Sequence, residues 1–124
     1  VVRRNLLIAN TETQILYSFS LRLALNYLES ENIFPQASEI NPDYLQLNKT
    51  VFIPLENNSG GYQNIDASGY QILLKYRISR SVAPKVSLTQ VLKGEVDPAL
   101  VKGKVVLIGA TARSARDFFL TPYG

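Results

Sequence analysis

Four consecutive apolar residues, Val105 to Ile108, run into Gly109 near the end of the chain. A stretch apolar on both faces reads as a strand covered on each side, the place of an inner strand in an α/β sheet. The Gly109–Ala110–Thr111 bend then leads into a loop that holds Arg113, Ser114, Arg116 and Asp117. Open parallel sheets bind ligands just past the carboxyl ends of their strands, and these residues lie there. The bend lacks both the G-x-G-x-x-G spacing and the G-K-[ST] of a phosphate loop. It therefore reads as turn geometry, with glycine allowing a sharp change of direction, and not as a nucleotide cradle.

The residues upstream supply companions for such a strand. "VVRRNLLIAN" (Val1–Asn10) reads as a first strand. Thr11 and Gln14 hold capping-box spacing, which predicts a helix over about 12–29. Ser18, Arg22, Asn26 and Glu29 form its polar stripe, so the helix is expected to pack over much of its circumference. The stretch from Glu31 to Thr50 reads as loop with at most one helical turn, and Thr50–Leu55 as a short β-branched strand. "ENNSGGY" is a turn, and "GYQILLKYR" (Gly69–Arg77) is another strand. Ser87 and Gln90 cap a second helix over about 88–93, with Gly94 at its left-handed exit. Asp97, Pro98 and Gly103 repeat that grammar over a single turn. Tyr70 to Gly109 is long enough for a right-handed βαβ crossover into a central strand at 104–109. The expected fold is α/β, a mixed sheet with two main helices, in one domain spanning 1–124.

Composition narrows the chemistry. The 124 residues include no His, Cys, Met or Trp. Thiolate and imidazole metal sites are thus excluded within the chain, as is any nucleophile–imidazole pair, and only a carboxylate site stays open. No cofactor and no catalytic constellation is expected. The net charge of +3 is spread along the chain, without the basic stripe and stacking aromatics of a nucleic-acid binder, so no nucleic-acid partner is expected. The longest mainly apolar segment, Ile15–Leu28, is interrupted by Arg22 and Asn26 and falls short of the roughly 20 apolar residues that span a bilayer. The chain starts at Val1 without a signal peptide and reads as a piece of something longer.

Two readings of the loop after Ile108 stay open. Arg113 and Arg116 beside Thr111 and Ser114 have the chemistry to hold a small anion. Alternatively, Arg116 or Arg77 pairs with Asp117 and locks the loop in place. Elsewhere, Asp66 and Asp117 are candidate paired carboxylates that no sequence feature brings together. Tyr62, Tyr70 and Tyr76 either line a pocket or fill core positions on a strand. Arg3 and Arg4 read as solvated edge charges.

Several segments together resemble a known family. These are "DASGYQILLKYR" (Asp66–Arg77) and "VSLTQVLKGEVDPALVKGKVVLIGATARSARDFFLTPYG" (Val86–Gly124), with the arginine-bearing strand "VVRRNLLIAN" ahead of a helix near "YSFSLRLAL". In order and spacing they are similar to the second type of CHASE domain, most closely as it occurs in cyanobacterial receptors, and to the later part of that domain. The resemblance implies an extracytoplasmic sensor, periplasmic or extracellular. It would act through transmembrane helices on a cytoplasmic output domain, a kinase (histidine, as in two-component systems, or serine/threonine) or an adenylate-type nucleotide cyclase. It carries over no defined ligand. Tyr76, Arg77, Thr111, Arg113, Arg116, Asp117 and Thr121 fall on its motif positions. The expected mode of action is binding of an unknown small ligand, polar or anionic, at the loop after Ile108 and the strand end at Tyr76–Arg77. The rivals are a ligand-free structural module that works as a homodimer, and a cytosolic α/β nucleotide-binding domain.

Overall fold

β1 (Arg4–Asn10) is the strand on which the first half of the molecule is built. The structure is a computed structural model that describes residues 1–77, 82–111 and 119–123. It forms two compact units, Val1–Lys75 and Tyr76–Gly124.

In the first unit β1 pairs antiparallel with β2 (Ile15–Tyr17) on one side and with β6 (Tyr70–Leu73) on the other. Arg4 therefore lies on a central strand, not on an edge. A second antiparallel sheet has the order β3 (Pro35–Ala37), β4 (Leu45–Leu47), β5 (Thr50–Phe52). Two of these strands fall where loop was expected. The β4–β5 hairpin turns at Asn48–Lys49 with Asn48 at φ 52°, a left-handed conformation that Asn tolerates better than most residues.

The capping-box spacing at Thr11–Gln14 has a different role from the one expected. Thr11 Oγ1 accepts the Gln14 N–H at 3.0 Å and donates to the Gln14 carbonyl at 3.0 Å, closing the turn of the β1–β2 hairpin. Ile15, Leu16 and Tyr17 are β-formers, so the chain pairs with Ile8–Asn10 before any helix begins. The helix starts seven residues later than its predicted cap allows, with Ser18 in place of Thr11 as the capping residue. Ser18 Oγ accepts the Leu21 N–H at 3.2 Å, and α1 runs Phe19–Ser30. Its packing is also narrower than expected. Leu21 is its one buried residue, with Leu25 and Leu28 half-buried along the same face, while Phe19 is 75 % exposed.

A β-bulge connects strand and helix. Leu6 pairs with Gln71 and Ile8 with Tyr70, which leaves Leu7 as the extra residue. Its side chain is buried, and its carbonyl accepts the Ser18 N–H at 2.8 Å, fixing where the helix starts. Leu7, Leu21, Leu47 and Leu55 form the buried apolar core, drawn from both sheets and the helix.

The two sheets share one side chain. Tyr70 on β6 accepts the Leu45 N–H at 2.7 Å and donates its hydroxyl to the Phe52 carbonyl, so one phenol spans the β4–β5 ladder. Burial pushes its pKa above the ordinary 10.0, and the Leu45 N–H partly offsets that. Tyr70→Phe is expected to lower stability by about 1–2 kcal/mol in urea unfolding, because a backbone donor and acceptor each lose a partner. A phenol with a raised folded pKa contributes stability that is present below pH 10.0 and is lost as pH rises through the folded value. This alkaline loss is expected in the wild type and should be absent from the Phe variant.

In the second unit the local motifs form as expected. Ser87 Oγ accepts the Gln90 N–H at 3.2 Å and Gln90 Oε1 accepts the Ser87 N–H at 2.9 Å, capping α2 (Leu88–Leu92). Gly94 has φ 70°. Asp97 accepts the Ala99 N–H at 2.9 Å at the start of a 3₁₀ turn, Pro98–Leu100, and Gly103 has φ 67°.

The α/β class holds, as a mixture of helices and sheets. The parallel component does not: all pairings among the described residues are antiparallel. Residues 104–109 form no strand, and Ile108 is 97 % exposed. An apolar run makes burial favourable but supplies no ladder partner, and none of the described residues pairs with it. The expected βαβ crossover is therefore not formed among the described residues, and the strand read over Gly69–Arg77 stops at Leu73.

Candidate functional site

The first unit holds an open cleft of about 520 Å³ between its two sheets. That volume lies within the roughly 300–1,000 Å³ common for small-molecule sites. One wall comes from the β1–β2 hairpin through Ile8, Asn10, Ile15 and Tyr17. The opposite wall comes from β3, β4 and their connection, through Gln36, Ala37, Asp43, Tyr44 and Leu45. Gly69 and Tyr70 lie where β6 begins. The connection between β3 and β4 is held by local bonds. Asn41 Oδ1 accepts the Asp43 N–H at 2.9 Å, the Tyr44 N–H reaches the Asn41 carbonyl at 2.9 Å, and the Ser38 N–H reaches the Tyr44 carbonyl at 3.0 Å. Ser38 is itself buried, so Asp43 and Tyr44 sit on an anchored turn.

The lining is largely apolar, with amide, carboxylate and phenol groups set into it. Tyr70's hydroxyl is committed to the two backbone groups described above. Asn10, Gln36, Asp43 and Tyr44 make no side-chain hydrogen bond among the described residues and have polar atoms to offer a ligand. Arg22 stacks on the Tyr17 ring, its guanidinium carbon 4.7 Å from the ring centroid.

A separate polar cluster surrounds Arg4. Its guanidinium donates to the Asp66 carbonyl and to Gln71 Oε1, each at 3.2 Å, and lies 5.2 Å from the centroid of the Tyr62 ring. Gln71 Nε2 donates to the Ser68 carbonyl at 2.8 Å and to the Asp66 carbonyl at 3.1 Å. The Asp66 carboxylate accepts both the N–H and the hydroxyl of Ser68. Those bonds, the hydroxyl's first, hold its pKa below the ordinary 3.8, with a smaller contribution from Arg4. Arg4 Nη1 and the Gln71 amide are committed to these internal acceptors, so the cluster ties the 62–68 loop to the sheet. Asp66 should titrate with a midpoint below 3.8 by NMR. A carboxylate with a lowered pKa contributes stability above its unfolded value that is lost as pH falls through the folded value. Asp66→Asn should accordingly differ from the wild type at neutral pH and converge with it in acid.

The sequence-predicted site residues are placed only in part. Tyr76 is half-buried and packs edge-on to Tyr123, with ring centroids 6.4 Å apart at 73°. Arg77 and Thr111 are exposed. Arg113, Ser114, Arg116 and Asp117 lie outside the described residues, as does any Asp66–Asp117 pairing. Of the three candidate pocket tyrosines, Tyr70 lines the cleft, Tyr62 faces Arg4 and Tyr76 meets Tyr123, so they form no common pocket. Sequence reasoning missed the cleft because it missed β3 and β4. The Asn41–Pro42–Asp43 turn signal between two short alternating runs was the available clue.

Among the described residues no group of three or more acidic side chains is placed to hold a metal ion, and no helix is long and apolar enough to cross a membrane. The first unit is a small α/β arrangement with a cleft between its two sheets. The chain matches the CHASE2 domain family over residues 1–124 and belongs to that family, whose members are extracellular sensory domains of signalling receptors. No curated protein and no solved structure shows a significant match to it.

Proposed function

We propose that this chain is the extracytoplasmic signal-binding domain of a transmembrane receptor and acts as one functional domain over 1–124. The observation that carries this reading is the family membership along the whole chain, and the ligand-sized cleft supports it. A ligand that prefers one of two arrangements of the domain shifts the receptor by its differential affinity, typically about 1–3 kcal/mol. Membrane helices elsewhere in the receptor pass that bias to a cytoplasmic kinase or nucleotide cyclase. The domain binds, and bond-making belongs to the output domain. The test is output of the full-length receptor in sealed membrane vesicles, with small metabolites added to one face at a time. Output that changes only with outer-face addition supports the reading, and output that responds only from the inner face overturns it.

The loop after Ile108 remains a second place for a ligand within the same reading. Thr111, Arg113, Ser114, Arg116 and Asp117, with Tyr76 and Arg77, would take a small anion there. Loss of binding in Arg113→Ala and Arg116→Ala would place the ligand at this loop, and unchanged binding in both would remove it. A ligand-free dimer module is favoured by one observation: edge strand β2 exposes Ile15, Leu16 and Tyr17 beside the exposed Phe19. Dilution-dependent association without stabilisation by any ligand would support that alternative.

A further inference from the structure

We infer that the cleft between the two sheets takes an organic amine: a protonated ammonium on an apolar or aromatic body. The inference deepens the sensor reading above and rests on it. Its first support is charge. Among the residues that line the cleft, Asp43 is the one ionisable carboxylate, and no Lys or Arg lines it. Asp43 thus gives the lining itself a negative charge that opposes an anion and attracts an ammonium, and the nearby Arg22 guanidinium is already engaged on the Tyr17 ring.

The second support is the lining itself. Ile8, Ile15 and Leu45 provide apolar surface, and Tyr44 and Tyr70 provide aromatic rings, whose faces attract cations. Tyr17 shows the same preference within this molecule, since its ring already carries the Arg22 guanidinium. Arg22 thereby occupies Tyr17, leaving Tyr44 and Tyr70 as the aromatic surface for a ligand.

The third support is the availability of partners. The Asp43 carboxylate has no hydrogen-bond or ion-pair partner among the described residues, while its backbone N–H is fixed by Asn41. The charged group is thus held on an anchored turn without being neutralised. The amides of Asn10 and Gln36 supply neutral acceptors on the two facing walls. An ammonium has three donors to place, and a carboxylate plus two amide oxygens match that number.

The experiment is calorimetric titration of the full chain with two probes of similar size and opposite charge, phenethylammonium and 3-phenylpropionate. Binding of phenethylammonium is expected, with 3-phenylpropionate silent. Asp43→Asn should weaken the amine about tenfold, the worth of one charge-assisted hydrogen bond. Ala37→Phe, which fills the cleft from β3, should abolish binding, and circular dichroism checks that both variants are folded. Equal binding of both probes, an amine affinity unmoved by Asp43→Asn, or silence of both probes at millimolar concentration overturns the amine assignment. None of those outcomes decides the sensor reading, which stands or falls on the outer-face vesicle test.

Discussion

Gly69→Val is expected to destabilise the first unit by roughly 3 kcal/mol or more, combining left-handed strain with overpacking. Gly69 has φ +72°, a conformation that a β-branched residue strongly disfavours. A Cβ there would also come 2.9 Å from the Ile8 carbonyl oxygen and 2.7 Å from Leu6 Cδ1. The leucine tip can swing away. The carbonyl belongs to the bulged centre of β1 and can move only if the strand moves with it. The same bulge sends the Leu7 carbonyl to Ser18 at the start of α1, so displacement would spread to the helix. Urea unfolding with amide exchange on β1 and β6 would show the loss. A valine variant within 1 kcal/mol of the wild type would mean that the close approach at Ile8 is not formed.

Leu21→Ala is the second large effect, with an expected loss of about 2–4 kcal/mol. Leu21 is 5 % exposed and is the one buried side chain of α1, so the helix has no other deeply packed anchor. The cavity left behind would be closed only in part by relaxation of its surroundings. Phe19→Ala, two residues away on an exposed side chain, should change stability by less than about 0.5 kcal/mol. The contrast between the pair is the informative reading. Equal losses would contradict the narrow packing face described for this helix.

How far the sequence foretold the fold depends on whether a signal is local. The Ser87–Gln90 box and the Asp97–Pro98–Gly103 turn were legible because each is completed within a few residues by its own side chains. Thr11–Gln14 shows the limit of that logic. One Thr-x-x-Gln spacing serves a helix cap or a hairpin turn equally well, and the choice is made by whether Ile15–Tyr17 finds Ile8–Asn10 to pair with. Strands of three residues, such as β3 and β4, carry too short an alternation to announce themselves, and the hairpin at Asn48 lacks the glycine that usually marks one. Val105–Ile108 misled in the other direction. Its apolarity records that burial would be favourable, while strand formation needs backbone partners that no property of the run itself can supply.

The same distinction governs the site. Arginines and hydroxyls after Ile108 were conspicuous in the sequence because they are adjacent along the chain. The cleft is assembled from residues as distant as Ile8, Ala37 and Tyr70, and becomes visible only once two sheets face each other. Tyr70 joins the two levels. A tyrosine on an alternating strand is recognisable from sequence, but its bonds to Leu45 and Phe52, which bring the cleft's walls to one another, are not.

The central claim is that the inter-sheet cleft receives the signal of an extracytoplasmic receptor domain. The most direct measurement is the output of the full-length receptor carrying Ala37→Phe, recorded while the signal is supplied at the outer face. The account predicts a folded, membrane-inserted receptor with normal resting output and no response. A filled cleft that leaves the response intact would contradict it.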